Sequence, residues 1–319
     1  MKLLASIFGA AVRLRNGGYD RGLLRARRLA GPVVSVGNLS VGGSGKTPFV
    51  ILLGEHLKAR SIPFDVLTRG YGRGSREILA VEPGGDARRF GDEPLLIARR
   101  LQVPVIVGAD RYASGRWSEE HFGPRLHLLD DGFQHRQLAR DFEIVMASPE
   151  DAADRLLPAG RLREPVASLR RTDAVVLAEG ASTQGLPLAG RQLWRIRRGI
   201  CAVGVPPRPL AFCGIARPRR FFTQLREAGI EPAAEITFHD HHAYTEKDAD
   251  ALRAAADRAA AGGFVTTEKD ALNLGHLIAR LDPVAVVPVT MELLDSTAML
   301  DFLLRTLDER RRRLTTARA

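Results

Sequence analysis

The sequence predicts an α/β fold: two P-loop/Rossmann-like domains built on parallel sheets, the larger N-terminal one carrying the P-loop. Short apolar runs rich in β-branched residues alternate with helical stretches over roughly the first 200 residues. A glycine-rich loop at residues 40–47 joins a strand to a helix, and the alternation restarts after the prolines of residues 206–209. Strands alternating with helices are typical of parallel sheets covered by helices.

Composition narrows the class of protein and of partner. The 319 residues suit two domains, and 45% hydrophobic and 26% charged residues are ordinary for a soluble globular protein. Two cysteines, Cys201 and Cys213, cannot form a disulfide framework, so we expect a reducing compartment. The net charge of +10 favours an anionic partner, namely nucleotide phosphates, nucleic acid or an anionic membrane surface.

The N-terminal segment predicts an amphipathic helix beside a basic cluster. Its apolar residues recur at helical spacing: Leu3, Leu4, Ile7, Phe8, Ala11 and Leu14. The arginines that follow are Arg13, Arg15, Arg21, Arg25, Arg27 and Arg28. Such a helix either lies in a membrane interface or packs on its own domain, and the sequence alone leaves both alternatives open.

The loop at residues 40–47 predicts a phosphate site. Its backbone N–H groups and the start of the following helix suit an oligophosphate, which Lys46 would reach while the Thr47 hydroxyl contacts Mg²⁺. The predicted nucleotide-binding residues are Ser40, Val41, Gly42, Gly43, Ser44, Gly45, Lys46 and Thr47. Ser40 replaces the first glycine of the usual motif, and we expect Gly42 and Gly43 to supply the backbone freedom.

Three further segments of the first domain carry charged residues at the end of a predicted strand or at the start of a predicted helix. Arg69 begins a glycine-rich loop after a strand at 63–68, which indicates either an anion site or a flexible surface loop. Asp92 precedes a helix at 95–100, where an isolated carboxylate more often caps the helix. Asp130 and Asp131 end an apolar run at 126–129, which predicts a Walker-B metal site, although the letters also fit a turn.

The second half of the chain predicts a smaller α/β unit. We expect domains at 1–205 and 206–292, and a C-terminal helix within 293–319 that packs back on the first domain. His241 lies in a histidine-rich segment, 239–242, that either orients a base facing the P-loop or, less plausibly for consecutive residues, binds zinc. The segment 267–270 either caps a helix or lines the cleft.

Motifs along nearly the whole chain, in their order, resemble those of the tetraacyldisaccharide 4'-kinases, the lipid A 4'-kinases of Gram-negative bacteria. They are Tyr19-Asp-Arg-Gly22, Val36-Gly-Asn-Leu-Ser-Val-Gly-Gly-Ser-Gly-Lys-Thr-Pro48, Arg69-Gly-Tyr-Gly-Arg73, Gly91-Asp-Glu-Pro94, Leu129-Asp-Asp-Gly-Phe-Gln-His135, Leu157-Pro-Ala-Gly160, Arg163-Glu-Pro165, Phe238-His-Asp-His241 and Thr267-Glu-Lys-Asp-Ala271. The order of these motifs is more specific than any single one.

The resemblance implies a peripheral enzyme at the cytoplasmic face of the inner membrane. It would move the γ-phosphoryl group of ATP to the 4'-hydroxyl of an acylated glucosamine disaccharide 1-phosphate lipid, giving lipid IVA. The resemblance further implies ATP and Mg²⁺ as cofactors, an anionic inner-membrane surface as partner, no nucleic acid and a monomeric state.

The resemblance also implies residue roles. Asp92 would be the catalytic base, His241 its partner, and Lys46 the phosphate ligand. The implied metal-site residues are Thr47, Asp130, Asp131 and Glu164, with either aspartate touching the ion. The implied lipid-contacting residues are Arg69, Gly70, Tyr71, Arg73 and Gln134, together with the N-terminal helix.

Two other function classes compete at this stage. A P-loop switch or assembly factor would hydrolyse nucleotide slowly and phosphorylate no lipid. A nucleic-acid binder would use the +10 charge, but no signature of an RNA- or DNA-binding motif occurs, and aromatic residues make up only 6% of the chain.

Overall fold

The computed structural model describes residues 1–71 and 73–316. The strands are β1 Val33–Asn38, β2 Phe64–Thr68, β3 Leu79–Ala80, β4 Val105–Val107, β5 Leu126–Asp130, β6 Phe142–Met146, β7 Ala174–Ala178, β8 Gln192–Ile200, β9 Leu210–Cys213, β10 Ala234–Thr237, β11 Phe264–Thr267, β12 Val284–Val287 and β13 Val289–Leu293. The α-helices are α1 Lys2–Asp20, α2 Lys46–Ala59, α3 Ala87–Phe90, α4 Asp92–Leu101, α5 Arg111–Phe122, α6 Pro218–Glu227, α7 Glu246–Arg258, α8 Glu268–Leu274 and α9 Ser296–Thr316. Across the described ranges, none of these helices has the length and apolarity that a membrane span requires.

The large sheet places β1 at its centre. Its strand order is β13-β8-β7-β6-β1-β5-β2-β4-β3, and only its two outermost pairings, β13 with β8 and β3 with β4, are antiparallel. The strand β1 is buried along its whole length between β5 and β6, so its sequence begins with two valines and lacks the alternation of a half-exposed strand. Loops that leave β1, β2 and β5 therefore meet at one edge of the sheet.

The small sheet has the order β10-β9-β11-β12 and is parallel throughout. Its core packs Phe212 against Phe238, Tyr244 and Phe264, with ring centroids 5.9 to 6.5 Å apart. Both sheets are mostly parallel and carry helices, so the predicted fold class is confirmed.

At the end of the second unit the chain returns to the large sheet. Pro288 separates β12 from β13, because proline lacks the N–H that a continuous ladder requires. The strand β12 ends in the small sheet, and β13 crosses back to pair with β8 in the large sheet. The apolar periodicity of the sequence did not predict the strand β8 or the helix α5.

The C-terminal helix α9 packs on the large sheet. Leu300, Leu303 and Leu307 belong to the same apolar core as Phe142 and Trp194. Arg310 extends this contact by pairing with Asp173. We propose on this basis that β13 and α9 belong to the first domain, and that the second domain comprises residues 206–287.

Candidate active site

The P-loop connects β1 to α2 in a left-handed turn. Gly45 is the N-cap of α2 with φ of 83°, and Gly42 has φ of 89°, conformations that glycine adopts at little cost. Ser40 needs no such freedom, because it forms a β-bridge with Leu162, and Val41 N–H donates to the Arg161 carbonyl over 2.8 Å. The substitution in the motif is thus accommodated by the neighbouring loop.

Lys46 lies at the bottom of the P-loop among polar partners. Its Nζ donates to Asn38 Oδ1 over 3.1 Å and lies 3.6 Å from Asp131 Oδ1. Arg163 holds the same carboxylate with two hydrogen bonds, of 3.0 and 2.8 Å. Burial raises the pKa of Asp131, but the charges of Lys46 and Arg163 outweigh it and bring that pKa well below its usual range.

Asp130 is nearly inaccessible to solvent, unlike its neighbour. Its Oδ2 accepts from Thr68 Oγ1 over 3.1 Å, and within the described residues its buried Oδ1 has no hydrogen-bond partner. Burial first, and then the charges of Glu93 and Asp131, raise the pKa of Asp130 to about 7. An unpartnered, buried carboxylate oxygen beside a P-loop is an arrangement that suits a cation.

Asp92 and His241 meet across the cleft between the two sheets. His241 Nδ1 lies 3.0 and 2.9 Å from the two carboxylate oxygens of Asp92, which is 4% exposed. His241 adopts φ of 59°, a strained conformation of the kind that clusters at functional sites. Gly91 is the N-cap of α4, and among the described residues no side chain caps that helix; Asp92, its first residue, accepts from Glu93 N–H and pairs with His241 instead.

Two further residues of the small unit hold Asp92, although no sequence motif predicted either of them as a site residue. Lys269 Nζ lies 3.7 Å from Asp92 Oδ2, 3.1 Å from Glu93 and 3.2 Å from His241 Nε2. Asn273 Nδ2 donates to Asp92 Oδ2 over 3.2 Å. The signal for Lys269 was the segment 267–270, which both caps α8 through Thr267 and lines the cleft.

These contacts set the ionisation of the pair. Burial would raise the pKa of Asp92, but the hydrogen bond from His241 and the charge of Lys269 outweigh it, so that pKa is lowered. The hydrogen bond to Asp92 likewise raises the pKa of His241 against burial and Lys269. The Lys269 contact at Nε2 suits the tautomer in which His241 donates Nδ1–H to Asp92.

The loop after β2 contributes part of the same cleft. Arg69 and Tyr71 line it, and the Tyr71 ring lies 5.4 Å from that of His241. Gly70 has φ of 67°, and Arg73 turns away from the cleft to donate to the Glu77 carbonyl. Gly72, which belongs to this predicted loop, lies outside the described residues.

Two predicted site residues lie behind the cleft wall. Gln134 donates to the Asn38 carbonyl over 3.0 Å, which places it behind the P-loop strand. Glu164 is fully buried, and its carboxylate binds Arg171 over 2.8 and 3.0 Å and Asn16 over 2.6 Å. These contacts do not support the implied metal role of Glu164, because its oxygens instead anchor α1 to the domain.

The residues of the histidine-rich segment differ in their contacts: His241 binds Asp92, whereas His239 and His242 contact each other. His242 contacts His239 over 2.8 Å and Asp248 over 3.2 Å, on the side away from Asp92. No group of three His, Cys, Asp or Glu side chains is close enough to hold a metal in the part of the chain that the structure describes.

The N-terminal helix α1 has one face that packs on its own domain and one exposed apolar face, so it fits both alternatives left open by the sequence. Its inner face packs on the domain, with Val12 buried and Gly9 facing Leu156. Its outer apolar residues are exposed by more than half: Leu3, Leu4, Ile7 and Leu14. The surface therefore presents an apolar stripe next to exposed arginines.

The cleft has a volume of about 800 Å³ and is lined by every residue of 40–47 together with Asp92, Asp130, Asp131 and His241. The glycine-rich loop at the start of α2, the buried carboxylate of Asp130 and the carboxylate of Asp92, which His241 holds, thus open into one space. This arrangement suits transfer of a phosphoryl group, which requires positioning and charge neutralisation more than covalent help.

Comparisons with known proteins agree with this chemistry. A family profile described as Tetraacyldisaccharide-1-P 4'-kinase matches residues 1–308. A tetraacyldisaccharide 4'-kinase of Koribacter versatilis is 51% identical over 97% of this chain and 99% of that protein, and one of Geobacter metallireducens is 37% identical over 92% and 94%. The crystal structure of the "apo" form of LpxK from Aquifex aeolicus in complex with ATP has a TM-score of 0.77 and 32% identity, covering 95% of this chain and 97% of that one.

Proposed function

This chain belongs to the tetraacyldisaccharide-1-P 4'-kinase family, and from that premise we propose how its residues carry out the reaction. It is a kinase of lipid A biosynthesis that uses ATP to phosphorylate the 4'-hydroxyl of a tetraacyldisaccharide 1-phosphate. The observation that supports the residue roles is the Asp92–His241 pair, which opens into the same cleft as the P-loop.

The donor side of the cleft holds the phosphates of ATP. The N–H groups of residues 42–47 and the start of α2 face an oligophosphate, and Lys46 reaches its terminal groups. Lys46 is held by Asn38 and Asp131 in this structure, so the side chain is already oriented toward the loop. The negative charge of Asp131 offsets the cost of keeping the charged lysine partly buried.

The residues beside the P-loop fit Mg²⁺. Among the described residues, the buried Oδ1 of Asp130 has no hydrogen-bond partner; Thr47 places a hydroxyl in the first turn of α2, and Asp131 is ionised. When bound, the ion would neutralise charge on the phosphates. The raised pKa of Asp130 fits this role, since a cation would favour its ionised form.

Asp92 orients the acceptor hydroxyl and takes its proton. Its carboxylate stays ionised at neutral pH, because the contacts with His241 and Lys269 lower its pKa. His241 fixes the direction of the carboxylate, and Asn273 holds its second oxygen. Such a positioned base contributes a factor of about 10² to 10⁴ to the rate.

The experiment that tests the function is incubation with γ-labelled ATP and tetraacyldisaccharide 1-phosphate in detergent micelles. We expect label on the 4'-oxygen of the lipid, located by mass spectrometry. Lys46→Ala should abolish transfer without changing the thermal unfolding temperature, while Lys247→Ala, an exposed lysine on α7, should behave as wild type. Label released only as inorganic phosphate would instead indicate a P-loop switch.

We further propose that the protein acts as a monomer bound peripherally to the cytoplasmic face of the inner membrane. The P-loop, Asp92 and His241 come from one chain, so a single copy completes the site. The exposed apolar residues of α1 lie next to Arg13 and Arg15, a combination that suits an anionic interface.

Vesicle co-sedimentation tests this placement. Leu4→Glu with Ile7→Glu should reduce binding to anionic vesicles, since each removes an exposed apolar side chain. Val203→Glu changes an exposed apolar residue elsewhere and serves as the control. Undiminished binding of the double variant would show that α1 serves only to pack on the domain.

A further inference from the structure

Three arginines face the P-loop from the opposite wall of the cleft. Arg198 lies on β8, and Arg217 and Arg220 lie at the start of α6; all three line the cleft. The Arg198 guanidinium donates to the Ser44 carbonyl, and a methyl group built on Gly45 would lie 2.6 Å from Arg198 Nη2. The arginine wall therefore touches the phosphate cradle itself.

These positive charges are poorly compensated. The pKa of Arg198 is lowered to about 9, first by burial and then by the charges of Arg220 and Arg217. Within the described residues, its buried Nε has no hydrogen-bond partner. Glu150 and Glu227 act on Arg220, but the charged groups that act on Arg198 are arginines.

Several other cations of the cleft pair with carboxylates. Lys46 and Arg163 share the carboxylate of Asp131, and Arg100 pairs with Glu268 over 2.9 Å. Gathering like charges in a partly buried site is unfavourable unless an anion joins them. The contrast indicates that the arginine wall is built for a bound anion.

We propose that Arg198, supported by Arg217 and Arg220, contacts the polyphosphate of the nucleotide held at the P-loop. Arginine presents a planar fork of donors that matches phosphate oxygens, and a phosphate oxygen is a stronger acceptor for it than the Ser44 carbonyl. The inference rests on the proposed function of the cleft and adds a second set of residues that bind the nucleotide. The nucleotide would be gripped by β1 and α2 on one side and by β8 and α6 on the other.

The test compares nucleotides that differ in phosphate number. Arg198→Met should weaken ATP binding about ten- to one-hundredfold by calorimetry, the loss of one charged hydrogen bond, and should change AMP binding much less. Arg197→Met is the matched control, because Arg197, the neighbour of Arg198 on β8, pairs with Glu179 and Glu292 instead. Arg217→Met with Arg220→Met should weaken ATP binding as well, with Arg219→Met as its control.

The remaining outcomes decide against the inference. It is overturned if Arg198→Met binds ATP as tightly as wild type, if ATP and AMP weaken equally, or if only the KM for the lipid rises, which would assign the site to the 1-phosphate of the acceptor. Arg198→Lys, which keeps the charge, and the unfolding temperature separate a lost contact from a damaged fold. Transfer to lipid by wild type and Arg197→Met would leave the kinase function standing in each of these cases.

Discussion

His127 and His241 each bind a carboxylate, but one lies in the interior and the other in the cleft. His127 lies on β5, with its ring nitrogens 2.8 Å from Asp65 and 3.2 Å from Glu119, and its side chain is 0% exposed. His241 lies 2.9 Å from Asp92, and its side chain is 24% exposed and opens into the cleft. Both histidines contact carboxylates, so exposure to the cleft is what distinguishes the Asp92–His241 pair from the buried contacts of His127.

The largest expected contrast comes from removing the charge of each aspartate. Asp92→Asn should lower kcat about 10²- to 10⁴-fold, since the base is lost while the shape is kept. Asp65→Asn should leave kcat of the folded protein nearly unchanged but lower the free energy of unfolding by about 1–3 kcal/mol, because it disturbs a fully buried hydrogen-bond network. Steady-state kinetics measure kcat, and urea unfolding measures the free energy of unfolding. Equal losses of kcat in Asp92→Asn and Asp65→Asn would contradict the distinction between the two pairs.

A double-mutant cycle sharpens the comparison at the cleft. Asp92→Ala and His241→Ala should each lower activity, and the double variant should be little worse than Asp92→Ala alone, because His241 acts through the carboxylate. His242→Ala is a suitable control, since that ring contacts His239 and Asp248. Strictly additive losses in kcat would mean that the two residues work independently.

The smallest effect is expected in the pH dependence of stability at His127. Burial lowers its pKa, but hydrogen bonds and charges of Asp65 and Glu119 raise it above the usual value. The resulting stabilisation is complete below the unfolded pKa of about 6.5 and is lost as pH rises through the folded pKa, by at most about 1.4 kcal/mol per pH unit.

Urea titrations between pH 5.5 and pH 9 test this dependence. Wild type should lose stability as pH rises through that window, whereas His127→Gln should show a flatter profile because the amide does not titrate. A wild-type profile as flat as that of the variant would show that His127 carries no linked proton.

The sequence allowed much of the donor side of the site to be predicted. The P-loop at 40–47 is contiguous, so spacing alone placed Lys46 and Thr47 at the start of a helix, and the apolar run before Asp130 predicted a strand end. The sequence could not decide whether α1 lies in a membrane interface or packs on its own domain. An exposed apolar stripe and a buried one have the same residue spacing.

Other features escaped because they depend on neighbours distant in sequence. In β8 the alternation is short: Trp194 and Ile196 are buried beside Arg195 and Arg197, and Arg198 and Gly199 then break the pattern. Pairing with β7 and β13 extends the strand beyond it. Glu164 resembled a site residue by motif, but Arg171 and Asn16 bind both of its oxygens. The segment that contains Lys269 was open to a helix cap or a cleft lining, and the contact of Lys269 with Asp92 depends on the approach of α4.

By itself, the sequence determined the alternation of strands and helices, the phosphate loop and the family, because each of these is written in contiguous residues and their order. Only the tertiary structure decided which charges meet: Asp92 with His241 and Lys269 from the other sheet, and three arginines with the P-loop. The physical reason is that ionisation and hydrogen bonding depend on distances between side chains, and packing of the two sheets sets those distances across 149 or more residues of chain.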